Sequence, residues 1–268
     1  MKVSIFLDNL EALCKQKGCT LGAALNEARH CGIEYIDLNA AYKGVDELPH
    51  LLKKTDLKVG GMYAIFDFAH DLQLEKQQRV VMLAKTLGAL NIMAVPGFAK
   101  EGDDHDTVLA NMIEGLKSLV TLAANQSLRV CIEDHGFARG YYGTAEEMLY
   151  LVENVPGLQI NFDTGNFLIH DADVLKSFEL LKNHIIHVHM KDWAYAPLLQ
   201  NDEMLDCPGC TRKLYPAPIG NGELPIAEVV RRLSERKYNG ICTIEQFGAA
   251  DQLMYMRRAA KWLVNIID

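Results

Sequence analysis

Eight short apolar runs alternate with stretches of helical period from one end of this 268-residue chain to the other, and few architectures accept such a pattern. The strand-like runs lie at 3–7, 35–38, 58–65, 91–95, 129–133, 158–163, 185–189 and 240–245. The intervening spacing predicts helices over 21–30, 46–53, 72–87, 107–125, 145–155, 172–181, 226–236 and 249–265. Local signals agree with these borders. Thr144 and Glu147 have capping-box spacing, Pro225 suits a first helical turn, and Gly32 and Gly88 stand where helices should stop. Eight strands alternating with eight helices predict an α/β chain, a single (β/α)8 TIM barrel over residues 1–268 with a long loop excursion at 193–219. An open, doubly wound sheet is the competing layout, but it would gather its site at one crevice. No GxGxxG follows the first strand and no GxxxxGK[ST] occurs, so a nucleotide reading has no motif behind it.

Four consecutive runs in the second half end on residues that can ligate a cation. RVCIEDHG reaches Glu133, LQINFDTGN reaches Asp163, IIHVHMKD reaches His189 and GICTIEQFG reaches Glu245. Side chains two apart on a strand face the same side, so Cys131 pairs with Glu133, Asn161 with Asp163, His187 with His189 and Thr243 with Glu245. If the last member of each pair faces the barrel axis, all four converge at its mouth. Three carboxylates packed together repel strongly unless a cation neutralises them. Any one of them alone would read equally well as a salt-bridged or capping group. Together, at four successive strand ends, they predict one divalent metal ion, with Mn2+ foremost and Mg2+, Co2+ and Zn2+ as alternatives.

The segments CIEDHG, FDTGN, HVHMKD and TIEQFG, with GNGELP at 220–225, resemble the strand ends of the xylose-isomerase-like TIM barrel superfamily, which includes the sugar phosphate isomerase/epimerase family. The resemblance runs over essentially the whole chain. It implies that Glu133, Asp163, His189 and Glu245 bind one divalent ion. It also implies that Glu133 and Glu245 are catalytic, moving protons on opposite faces of a hydroxy-carbonyl substrate through a cis-enediolate. The expected activity is a metal-dependent isomerase or epimerase of a sugar or related compound. One alternative is a metal-dependent lyase resembling the inosose dehydratases, and another is a non-catalytic metal- or carbohydrate-binding protein. The chain departs from the ketose 3-epimerases at Arg139, Asn166 and Tyr195, where those enzymes carry a glutamate, a histidine and an arginine that hold substrate hydroxyls. It departs from the abasic-site nucleases at Tyr63, Pro96, Asn166 and the histidine-free stretch from Asp202.

Neighbouring residues give the expected substrate contacts: His135, Asn166, Lys191, Trp193 and Tyr195. His135 follows Glu133 by two and can act as an acid/base, or simply cap a loop carbonyl. His187 should lie a layer deeper than His189 as a packed, hydrogen-bonded residue. Lys191 can bind an oxyanion or neutralise the acidic cleft. Trp193, Tyr195 and Tyr215 in the excursion, with Phe6, Phe66 and Phe68 from the early strands, could wall a pocket. Cys207 and Cys210 can be ordinary loop cysteines, half of a zinc site or a tight disulfide.

A formal charge of −8, from 27 basic and 35 acidic residues, and the lack of any basic block argue against a nucleic-acid partner. The expected partner is a small sugar or polyol, with a homodimer or homotetramer as the expected assembly. The start, MKVSIFLDNLEAL, reads as strand followed by turn rather than as a secretion signal, and no run of 18 uncharged apolar residues occurs. With seven scattered cysteines, the expectation is a cytoplasmic protein with reduced thiols and no membrane contact.

Overall fold

The computed structural model describes residues 1–135, 138, 140–169, 171–206, 210 and 212–267. Arg139 and Cys207, both weighed above, lie outside them. Eight parallel strands close into a barrel: β1 (Lys2–Phe6), β2 (Tyr35–Asn39), β3 (Lys58–Ile65), β4 (Asn91–Val95), β5 (Arg129–Ile132), β6 (Leu158–Asp163), β7 (Ile185–Met190) and β10 (Ile241–Ile244). β1 pairs with both β2 and β10, which closes the ring. Each strand matches a predicted run to within a residue or two, because unbroken apolar stretches buried on both faces are what a parallel barrel requires.

The helices follow with small shifts: α2 (Leu21–His30), α3 (Leu48–Thr55), α4 (Leu74–Leu87), α5 (His105–Ala124), α6 (Ala145–Asn154), α8 (Val174–Leu181), α9 (Ile226–Glu235) and α10 (Gln252–Ile267). Thr144 and Glu147 form the capping box at the start of α6, and Gly88 ends α4 in the left-handed conformation. Pro225 sits at the N-cap of α9, one place ahead of the first turn.

The opening segment differs from the expectation of strand followed by turn. Helix α1 (Leu7–Lys17) begins directly after β1, burying Leu7, Leu10 and Leu13 at helical spacing and ending at Gly18, whose φ is 64° and whose N–H reaches Cys14 O at 2.8 Å. Asp8 is a first-turn acid favoured by the helix dipole, not a chain break. A second short helix, α7 (Asn166–Ile169), was also unforeseen. The excursion folds back as an antiparallel ribbon of β8 (Asp192–Ala194) and β9 (Tyr215–Ala217). Helix α5 has the length and hydropathy of a membrane span, but its stripe of Val108, Met112, Leu116, Leu119 and Ala123 is buried in the barrel's own core.

Candidate metal centre

The carboxyl ends of β5, β6, β7 and β10 meet at one point. Each of Glu133, Asp163, His189 and Glu245 offers an atom there, and those atoms all lie within 4.8 Å of one another. Glu133 and Glu245 stand one residue past their strands, while Asp163 and His189 are within theirs and directly in register. Pleat alternation places the partner residues one layer down, as expected. Asn161 donates to Glu133 Oε2, and His187 lies 2.9 Å from Thr243 Oγ1.

The donor set fits a cation on a direct observation. Asp163 Oδ2, His189 Nδ1 and Glu245 Oε2 are buried without hydrogen-bond partners. Their remaining contacts are ion pairs inside the cluster, to Lys191, Glu133 and one another, and buried polar atoms left without hydrogen bonds around one space suit a bound cation. Asp163 is aimed by its surroundings: Oδ1 accepts from the N–H groups of Gly165 (2.6 Å) and Asn166 (2.8 Å), which turns Oδ2 toward the cluster. Oxygen donors with one imidazole suit a hard or borderline divalent ion.

Without a cation, the cluster balances its charge internally. Lys191 Nζ lies 2.7 Å from Glu245 Oε1, 3.1 Å from Asp163 Oδ2 and 2.8 Å from Asn166 Oδ1. Burial would favour the neutral amine, but Asp163, Glu245 and Glu133 outweigh it and raise the Lys191 pKa. Burial would also lower His189, yet Glu133, Asp37 and Glu245 push it well above the usual histidine value. Burial and the neighbouring Asp163 and Glu133 push Glu245 up to about 8, against the pull of Lys191 and His189. Glu133, opposed by burial but held by His189 and Lys191, stays below the ordinary range.

The expected substrate contacts divide into two groups. Asn166 Nδ2 donates to Glu133 Oε1 (3.1 Å) and to Asp134 O (2.9 Å), which ties it and Lys191 into the cluster. His135 packs edge-on to Phe98 at 5.0 Å, and burial lowers its pKa. Trp193 is buried, with Nε1 donating to Gly165 O at 3.1 Å, so it props the 164–166 turn. Tyr195 is 45% exposed and engages Arg212, whose Nη1 donates to its hydroxyl at 2.8 Å, rather than the cluster.

Of the early aromatics, Phe6 packs edge-on to His189 at 4.7 Å and touches Tyr63 and Phe247. Phe66 and Phe68 instead stack on each other at 4.5 Å inside the core, with Phe68 against Gly115 of α5. Both follow the end of β3 and face the outer helices, with Phe66 beneath Lys76 of α4, which corrects the expectation that they share the pocket. Two buried carboxylates went unremarked in the sequence. Asp37 lies beneath His189, and Asp134 has both oxygens without a partner, its pKa raised well above the usual value by burial and by Asp163 and Glu133.

Residues 25–266 match the family described as xylose isomerase-like TIM barrel. The chain belongs to that family. Among curated proteins, an uncharacterized protein of Methanocaldococcus jannaschii is 27% identical over 167 residues, covering 60% of this chain and 52% of its own length. The chain therefore spans about half of that relative. Among solved xylose isomerase-like folds, the probable 3-DHS dehydratase AsbF of Bacillus anthracis superposes with a TM-score of 0.75 at 19% identity, covering 99% of both chains. The D-allulose 3-epimerase of Methylomonas sp., in complex with D-allulose, gives a TM-score of 0.74 at 16% identity, covering 99% of this chain and 96% of its own. At such identities these likenesses establish the shared barrel.

Proposed function

We propose that this protein is a divalent-metal-dependent isomerase or epimerase of a small sugar or related hydroxy-carbonyl compound. The observation that carries this reading is the convergence of Glu133, Asp163, His189 and Glu245, with three of their donor atoms buried and without hydrogen bonds. A divalent cation bound there, Mn2+ in the first instance, supplies Lewis-acid polarisation of a substrate carbonyl. Glu133 and Glu245 come from strands on opposite sides of His189, which supports a role for them on two faces of a bound molecule. One takes the proton from the carbon beside the carbonyl, giving a cis-enediolate. The other returns a proton, to the far face of the same carbon for epimerisation or to the neighbouring carbon for isomerisation. The Lys191 ammonium, steered by Asn166, is positioned to stabilise negative charge on substrate oxygen. We assign His135 to substrate binding beside Glu133, while Trp193 acts on the site only through the 164–166 turn it supports. The net charge of −8 and free thiols at six described cysteines suit a cytoplasmic enzyme of small solutes, and a homodimer or homotetramer is the assembly we expect.

A second reading, a dehydratase, is favoured by Lys191 and by the likeness to AsbF. After the same proton abstraction, Lys191 or His135 would protonate a departing β-hydroxyl, which leaves as water. Incubation of ketoses, aldoses, inososes and hydroxypyruvate with the Mn2+-loaded protein in deuterated water tests both. Deuterium should enter a substrate C–H position, and Glu133→Gln and Glu245→Gln, with metal occupancy verified, should slow that exchange by about 100-fold or more. Loss of the mass of water identifies the lyase. Exchange as fast as the parent in both variants sinks the two-glutamate mechanism, and no exchange with any substrate favours a binding protein.

A further inference from the structure

A fourth carboxylate lies under the ligand ring, and nothing in the proposed chemistry uses it directly. Asp37 of β2 is inside the barrel, its side chain 3% exposed. Barrel interiors are ordinarily filled by branched apolar side chains, and a buried carboxylate is costly unless it is fully bonded. Asp37 is bonded from four strands. Oδ1 accepts from Ser4 Oγ (2.8 Å) and Gly61 N–H (3.0 Å); Oδ2 accepts from Thr243 Oγ1 (3.1 Å) and faces His187 Nε2 (2.7 Å) and His189 Nε2 (3.5 Å).

The backbone makes room for this carboxylate. Register between β2 and β3 slips at Asp37, where Ile36 pairs with Val59 but Leu38 with Met62, so Gly60 and Gly61 both stand opposite it. Such bulges re-aim side chains beside active sites, and glycine inside a strand marks close approach. A Cβ on Gly60 would lie 2.8 Å from Asp37 Oδ1, and one on Gly61 2.7 Å from Oδ2.

Hydrogen-bond logic then fixes the imidazoles. Asn91 Nδ2 donates to His187 Nδ1 at 3.0 Å, with the Cys131 thiol 3.8 Å from Asn91 Oδ1 and 3.7 Å from Ile92 O. With Nδ1 facing that amide, His187 presents Nε2–H to Thr243 Oγ1 at 2.9 Å and to Asp37 Oδ2 at 2.7 Å. His189 presents Nε2 to the same Oδ2, while its Nδ1 faces Glu133 and Glu245.

We propose that Asp37 is a positioning residue for His189, holding the proton on Nε2 so that the bare Nδ1 lone pair faces the cation. This rests on the metal-site reading above. A carboxylate behind a ligating histidine fixes its tautomer and raises its basicity. Mn2+ binding to the full chain, measured by calorimetry for the parent and for Asp37→Asn together with thermal unfolding of each, should show affinity lowered about 10- to 100-fold in the folded variant. Long-range 15N–1H spectra of the Zn2+-loaded parent should show His189 protonated on Nε2 and metal-shifted on Nδ1, a readout that stands even if Asp37→Asn does not fold. A folded variant with the parental affinity, or a parent with its metal on Nε2, overturns the proposal alone. A parent that takes up no metal overturns the site reading with it.

Discussion

Cation binding at this cluster should displace protons, and the number follows from the charge state of the metal-free site. Burial and the surrounding carboxylates push Glu245 up to about 8, so at pH 7 it is mostly protonated. His189, raised well above 6.5 chiefly by Glu133 against the effect of burial, carries a second proton, whereas Glu133 is already an anion. Ligation needs the carboxylate and the bare imidazole, so Mn2+ at pH 7 should release between one and two protons. The apparent affinity should then climb about 10- to 100-fold between pH 6 and pH 7. The contribution of Glu245 should level off above its pKa of about 8. The metal-free fold should show the matching loss. Glu245 titrates near 4.5 unfolded but near 8 folded, so the native state binds more protons in between, and stability from this group falls as pH rises across that window. The gap corresponds to on the order of 5 kcal/mol. Calorimetric titration in two buffers of unlike ionisation enthalpy counts the protons directly. Tight binding with no proton release at pH 7, or an affinity flat from pH 6 to pH 8, would refute the assignment of these groups as ligands.

Replacing Lys191 by Met removes the ammonium lying 2.7 Å from Glu245 and 3.1 Å from Asp163, so the metal-free protein at pH 8.5 should lose about 3–5 kcal/mol while Mn2+ binds more tightly; equal melting temperatures for variant and parent would contradict this. Gly115→Ala, ordinarily a gain of about 1 kcal/mol inside a helix, should instead destabilise by about 1–3 kcal/mol, because a Cβ there would lie 2.6 Å from Phe68 Cδ1, and chemical denaturation gives the sign. Thr144→Ala opens the capping box of α6 and should cost about 1 kcal/mol, a drop of about 2–4 °C in Tm by scanning calorimetry.

The parts of the site legible in the sequence were those carried by period and position. Glu133, Asp163, His189 and Glu245 end apolar runs, and a parallel barrel gathers the carboxyl ends of its strands on one face. His187 could be placed a layer down by counting two residues back, and the structure puts it there. Helix α1 is hidden because Asp8 and Asn9 interrupt the apolar run of β1 and look like a turn, although Leu7, Leu10 and Leu13 already carry the helical period. Trp193 read as a pocket wall because aromatic content says nothing about orientation; its indole N–H was already committed to Gly165 O. Asp37 lies within an apolar run, IEYIDLN, far in sequence from every ligand. Its role depends on the slipped register opposite Gly60 and Gly61, and the adjacent pair of glycines inside a strand was the one local signal available.

The metal-free cluster also explains why Lys191 is buried among the donors. Glu133, Asp163 and Glu245 would together place three negative charges in a small, nearly dry volume. Two protons, on Glu245 and His189, and the Lys191 ammonium are what hold them there without a cation. A divalent ion bound there would substitute for the two protons charge for charge, and on the proposed mechanism Lys191 would then be free to turn from the carboxylates toward a substrate oxygen. On the proposed mechanism, metal loading and readiness for proton transfer would be one event, because Glu245 would give up on ligation the proton that keeps it from acting as a base. The rate of C–H exchange should therefore rise with metal occupancy along the same curve that counts released protons, and a rate that lags behind occupancy would separate the two roles assigned to Glu245.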